Sequence, residues 1–143
     1  MSIVIGYRPD DFGELALEHG VARAQATSSP LVIVNLAKRG VDSTELEASK
    51  GFVRGHELEQ LRFRLVEAVG AKRMAIRQPV GSDTAAEILA VASDVKADLV
   101  VIGFPPRSPV GKVILGSTAQ AVLLDSTAPV LAVKPGQAPP PVL

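Results

Sequence analysis

Asp98-Leu-Val-Val-Ile-Gly-Phe-Pro-Pro-Arg-Ser-Pro-Val-Gly-Lys-Val-Ile-Leu-Gly-Ser117 is the stretch on which the fold turns. Its first part, Leu99 to Ile102, is a continuous apolar run and predicts a strand buried on both faces. Gly103 stops that strand. Three prolines, Arg107 and Ser108 follow in a loop, and Gly116-Ser117-Thr118 leads into an Ala/Leu-rich helical pattern ending near Leu124. A buried strand, a Gly-punctuated loop and a helix start can receive an anion, because backbone N–H groups and the positive end of the helix dipole converge there. The same residues also read without a ligand, Gly103 as a strand stop and Ser117 as a helix cap.

Strands and helices alternate along the rest of the chain. Ser2 to Tyr7 is a short buried strand. Asp10 or Asp11 caps the helix after it, with Glu14 three residues beyond Asp11 as in a capping box. Leu17, Val21 and Ala24 give that helix its apolar face, and Ser28-Ser29-Pro30 ends it. Leu31 to Leu36 is a second buried strand with Asn35 near its end. Residues 37–51 are polar, lack a clear period and read as an irregular connection. Leu58, Leu61, Leu65 and Ala68 mark the second helix, closed by Gly70. Arg73 to Gln78 alternates weakly, as a less buried third strand would. Ser82 or Asp83 caps a third helix with Ala85, Ile88, Ala92 and Val95 on its apolar face. Pro129 introduces a last strand, Val130 to Val133. This gives a domain over residues 1–135 and a Pro-rich tail, 136–143, expected to be extended and mobile.

Such alternation predicts an α/β fold, a single-domain open parallel sheet covered by helices on both faces with right-handed crossovers. Ligands of such sheets sit beyond the C-terminal strand ends, where strand order reverses. If the first and fourth strands are neighbours at that reversal, the site is built from Tyr7–Asp11 and the loop from Gly103 to Ser117.

Composition limits the function classes. The 143 residues are 47% hydrophobic and only 3% aromatic, so the core is aliphatic. One domain of this length buries roughly two thirds of its unfolded surface. Lys+Arg and Asp+Glu are both 15, leaving no global field to attract nucleic acid or a membrane surface. With no cysteine there is no thiol catalysis, disulfide or Cys-based metal site. The first apolar run is too short for a signal peptide, and none approaches the roughly 20 residues of a membrane span, so a cytoplasmic location is expected.

The search for chemistry yields no catalytic constellation. There is neither a P-loop nor a Gly-x-Gly-x-x-Gly fingerprint. Arg8, Arg107 and Lys112 gather around the expected crevice and favour an anionic ligand, although loop cations are commonly just solvated. Asp10 and Asp11 read as caps, and His19 and His56 as packing or surface residues without metal-ligand spacing. The serines lack a nucleophile signature. Asn35 reads as a structural hydrogen-bonding residue. Arg54, Arg62 and Arg64, interleaved with Glu57, Glu59 and Glu67, read as a solvated face.

Asp98-Leu-Val-Val-Ile-Gly103, Leu115-Gly-Ser-Thr-Ala-Gln-Ala-Val-Leu124 and Ala128-Pro-Val-Leu-Ala-Val-Lys-Pro135 closely resemble the C-terminal half of universal stress protein domains. Ile3-Val-Ile-Gly-Tyr7 and Gly81-Ser-Asp83 fit as well. The resemblance implies five parallel strands in order 3-2-1-4-5, an adenine nucleotide alpha-hydrolase-like arrangement, and a homodimer joined through Val130, Leu131, Ala132 and Val133. It also implies a stress-response binding module for ATP, AMP or a related phosphate ligand, with or without Mg2+. The family's nucleotide motif is Gly-x2-Gly-x9-Gly-Ser/Thr. Gly103 matches its first glycine, and Gly116 and Ser117 its final pair, whereas Pro106 replaces the second glycine and removes an N–H donor. Arg8 stands where many members have an acidic residue toward the nucleoside. The implied phosphate side is Gly103, Arg107, Gly116, Ser117 and Thr118; the nucleoside side is Gly6, Tyr7, Arg8 and Leu36. The alternative reading is a nucleotide-independent dimeric interaction protein, favoured by Pro106 and Arg8. ATP hydrolysis is a third reading for which no base or metal ligand can be named.

Overall fold

The computed structural model describes residues 2–38, 51–104, 115–136 and 139. In chain order its elements are β1 (Ile3–Gly6), α1 (Asp11–Thr27), β2 (Leu31–Val34), β3 (Ala37–Lys38), α2 (Gly55–Val69), β4 (Met74–Arg77), β5 (Val80–Gly81), α3 (Thr84–Asp94), β6 (Leu99–Gly103), α4 (Ser117–Asp125) and β7 (Val130–Val133). Five strands form one parallel sheet in the order β4-β2-β1-β6-β7. Counting only these five gives the expected order 3-2-1-4-5. The first and fourth of them, β1 and β6, are neighbours, with Ile3 opposite Leu99 and Ile5 opposite Val101.

The apolar runs supply both faces of this sheet through the two-residue alternation of a strand. Ile3, Ile5 and Tyr7, with Leu31, Ile33 and Val101, face the layer made by α1 and α2. Val4, Val32, Val34, Val100 and Ile102 face the layer made by α3 and α4. The central strands are therefore buried on both sides. At the β4 edge Met74 and Ile76 are half-buried while Ala75 and Arg77 are exposed, matching the weak alternation of that segment. The other edge is β7, whose Val130, Leu131 and Ala132 are half-buried.

Local signals set the helix ends. Asp10 caps α1, its Oδ1 accepting from the Gly13 N–H at 2.8 Å, and Asp83 caps α3 by accepting from the Ala86 N–H at 3.1 Å. Ser28 ends α1 in the left-handed region, with φ 54°, and Gly70 ends α2 with φ 89°. Three expectations need correction. Glu14 does not complete a capping box, since its carboxylate is turned to Tyr7 and Arg64. The residue capping α4 is Gly116, and Ser117 is already helical without a side-chain capping bond. The second strand stops at Val34, and the segment read as irregular begins with a strand: Ala37 and Lys38 pair in parallel with Val80 and Gly81. No helix among the described residues is long and apolar enough to cross a membrane.

Candidate functional site

The reversal of strand order lies between β1 and β6, so their C-terminal ends form the crevice expected from the topology. Gly6, Tyr7 and Arg8 leave from β1, and Gly103 and Phe104 from β6. Gly6 is pressed against α3: a Cβ there would lie 2.8 Å from Ile88 Cδ1. Gly103 is pressed against the start of α1, where a Cβ would lie 2.5 Å from the Phe12 carbonyl oxygen. Both glycines at the strand ends thus meet a packing demand of the protein itself.

Tyr7, 5% exposed, turns its ring into the α1/α2 layer and donates its phenolic O–H to Glu14 Oε1. The Arg64 guanidinium grips the same carboxylate, donating from Nη2 to Oε2 at 2.6 Å and from Nη1 to Oε1 at 3.2 Å. Burial and the hydrogen bond to Glu14 push the phenol well above its ordinary value. The Arg64 hydrogen bonds hold the Glu14 carboxyl below the usual carboxylate range, and the pairing raises Arg64 in turn. Arg64 thus has a partner on α1 while staying exposed, as Arg54 and Arg62 are. Beside this cluster a cleft of about 680 Å³ opens between the β1 end and α2, bordered by Pro9, Val53, the exposed His56 and Phe63.

Asn35 ties the other strand ends together. It is fully buried, and its Nδ2 donates to the carbonyls of Tyr7 at 3.1 Å and Gly51 at 2.7 Å. Its Oδ1 accepts from the Val53 N–H at 2.9 Å and from Gln78 Nε2 at 3.2 Å. Both donors and both lone pairs of the amide are used, so Asn35 is structural, as its sequence context suggested. Gln78 also donates to the Val53 carbonyl at 2.6 Å. Leu36 next to it is buried. Arg8 stays exposed, lies 3.7 Å from Asp10 Oδ2 and covers Gly51, where a Cβ would stand 3.0 Å from the Arg8 Nε.

The starts of α4 and α2 have no side-chain cap, unlike those of α1 and α3. Gly116 has φ −63° and ψ 153° and, as a glycine, supplies no side-chain cap to the first turn. A Cβ on Gly116 would meet no described atom within 4 Å. Ser117 and Thr118 are exposed, and Leu115 packs against the cluster containing Ile102. Arg107 and Lys112, with Pro105 and Pro106, lie outside the described residues. Among the described residues no three His, Cys, Asp or Glu side chains lie together as metal ligands would. His19 is buried on α1.

The profile of the universal stress protein family matches residues 1–134. The chain belongs to the universal stress protein family. A universal stress protein of Mycolicibacterium smegmatis is 38% identical over 133 residues, 93% of this chain and 97% of that protein. Among solved structures, a universal stress protein in complex with cAMP superposes with a TM-score of 0.70 at 23% identity, covering 93% of this chain and 96% of that one. The Archaeoglobus fulgidus universal stress protein in complex with dAMP gives 0.61 at 20% identity, covering 94% and 98%. At these identities the structural likeness establishes the universal stress protein fold. Two arrangements at the strand ends escaped the sequence reading: the Tyr7–Glu14–Arg64 cluster and the Asn35–Gln78 junction. Tyr7, the chain's single tyrosine, sitting where an apolar strand meets a turn, was the available signal.

Proposed function

We propose that this chain is a regulatory module that binds an adenine nucleotide beyond the C-terminal ends of β1 and β6. Gly116 carries this reading. Its backbone angles suit any residue and no described atom crowds it, so neither strain nor packing among the described residues asks for a glycine there. A ligand approaching the backbone closely would ask for one. The first turn of α4 has no side-chain cap from its own N-cap residue, and N–H groups at a helix start favour a negative group. In this reading Gly116, Ser117 and Thr118, with Arg107, meet the phosphate. The backbone at Gly6, Tyr7, Arg8 and Leu36 borders the nucleoside, and Gly103 sets the distance between β6 and α1. The cAMP and dAMP complexes of proteins with the same fold agree with the ligand class.

Isothermal titration with cAMP, AMP and ATP tests the proposal. Saturable heat from at least one of them is expected, reduced in the Arg107→Ala, Ser117→Ala double variant. Silence from all three at millimolar concentration overturns it. A nucleotide-independent interaction module is the second reading. Gly103 favours it, because close packing on Phe12 already accounts for that glycine. The homodimer through β7 belongs to both readings, supported by an edge strand that pairs only with β6 among the described residues.

A further inference from the structure

On the outer surface, running along α1 from the cleft at the β1 end, α1 and α2 enclose a trough of about 670 Å³. Leu15, Val21 and Ala22 of α1 and Leu65 and Ala68 of α2 supply its apolar lining, beside the polar Asp11, Glu14, Glu18, Gln25 and Arg64. Two cross-helix contacts bound it. At one end Arg64 holds Glu14 at 2.6 Å; at the other, Gln25 Nε2 donates to the Ala68 carbonyl at 3.0 Å. One residue of the trough wall comes from neither helix. Pro139, from the Pro-rich stretch after β7, lies half-buried in it.

We propose that the trough is a docking site for a proline-rich segment and that its occupant is this chain's own Pro139-Pro-Pro-Val-Leu143. Length, surface chemistry and conformational cost all suit this occupant. Glu14 and Gln25 are separated by about 16 Å of helix at about 1.5 Å per residue, and five residues of polyproline II at about 3.1 Å each span about the same distance. Proline rings, valine and leucine offer an apolar surface to the Leu, Val and Ala of the walls. Proline has no N–H to leave unsatisfied against such walls, and polyproline II is already extended, so little conformational freedom is lost on docking. The segment is tethered to β7, the strand edge beside α1, which keeps its effective concentration near millimolar and lets a weak contact fill the site. Glu14 and Arg64 line both this trough and the cleft at the β1 end, so an occupied trough braces the ion pair that closes it.

The test compares the full chain with one ending at Gly136, using backbone amide NMR. Removing the segment is expected to shift the amides of Leu15, Val21, Ala22 and Ala68. A synthetic Pro-Pro-Pro-Val-Leu peptide added to the shortened chain should move them back toward their full-chain positions. The same peptide should leave the full chain unmoved, because its site is filled. Superimposable spectra of the two chains at those four residues overturn the proposal. So does a shift difference that vanishes when the full chain is diluted, which would assign the trough to a second copy's segment. Pro139→Asp in the full chain is the companion variant if the shortened chain does not fold. It should produce the same four shifts, and unchanged amides there overturn the proposal equally.

Discussion

An alanine at Gly103 would set its Cβ 2.5 Å from the Phe12 carbonyl oxygen, against backbone that cannot swing aside. Gly103→Ala is therefore expected to destabilise the fold by about 2 kcal/mol in urea unfolding, the usual scale of overpacking. At Gly116 the same change meets no described atom within 4 Å, at angles alanine adopts readily. Gly116→Ala should leave stability unchanged or raise it by about 0.5 kcal/mol by restricting the unfolded chain. Nucleotide affinity should fall at least about tenfold if the phosphate sits at the α4 start. Unchanged affinity would move the phosphate elsewhere. Tyr7 permits an equally direct measurement, because it is the only tyrosine and its phenolate absorbance reports on one site. Folded protein should show no phenolate up to and beyond pH of about 10, the ordinary midpoint, and unfolded protein should titrate there. The neutral phenol thus contributes stability that is intact below about pH 10 and is lost as pH rises above it, and Tyr7→Phe removes this alkaline loss.

At the scale of elements, the Glu14–Arg64 pair joins α1 to α2. Its carboxyl is held below the usual range, so the contribution is present at neutral pH and disappears as pH falls below about 4. Both side chains are about half exposed, 41% and 53%, which keeps the effect below about 1 kcal/mol. Glu14→Gln should accordingly flatten the acid limb of a stability–pH curve without changing its neutral plateau by more than that. Sequence reading located the elements wherever periodicity had length to speak. Ala85, Ile88 and Ala92 marked α3, and Val130–Val133 marked β7 residue for residue. It missed the β3–β5 ladder because two-residue strands have no period and are specified by their partner. It did not foresee the Glu14–Arg64 pair because spacing along one helix does not disclose a neighbour on another. The candidate site was legible only in part. Strand adjacency came from the family resemblance, since strand–helix alternation left it a condition, whereas the reason for each glycine needed the third dimension.

For the molecule as a whole, the edge of β7, which among the described residues pairs only with β6, is where the proposed dimer would form. Pro129 and Val133 direct their carbonyls to β6, accepting from the Val100 and Phe104 N–H groups at 2.9 and 2.7 Å. By alternation the N–H groups of Val130 and Ala132 point to the free edge. Ala132→Pro removes one outward donor while sparing the bonds to β6. If dimers form through this edge, sedimentation should show the variant as a monomer at concentrations where the parent chain is dimeric. A parent chain that is itself monomeric would rule out this assembly.

The Asn35 junction has a consequence in time as well as in space. Its partners are 16, 18, 28 and 43 residues away along the chain, so the amide is satisfied only after the ends of β1, β2 and β4 and the approach to α2 have all arrived. A contact of that kind closes late. Asn35→Ala should therefore speed unfolding by at least about tenfold and leave the refolding rate nearly untouched in a chevron measurement. An equal slowing of refolding would mean that the junction forms early instead. As a late latch, Asn35 would govern how long the folded protein lasts more than how fast it forms.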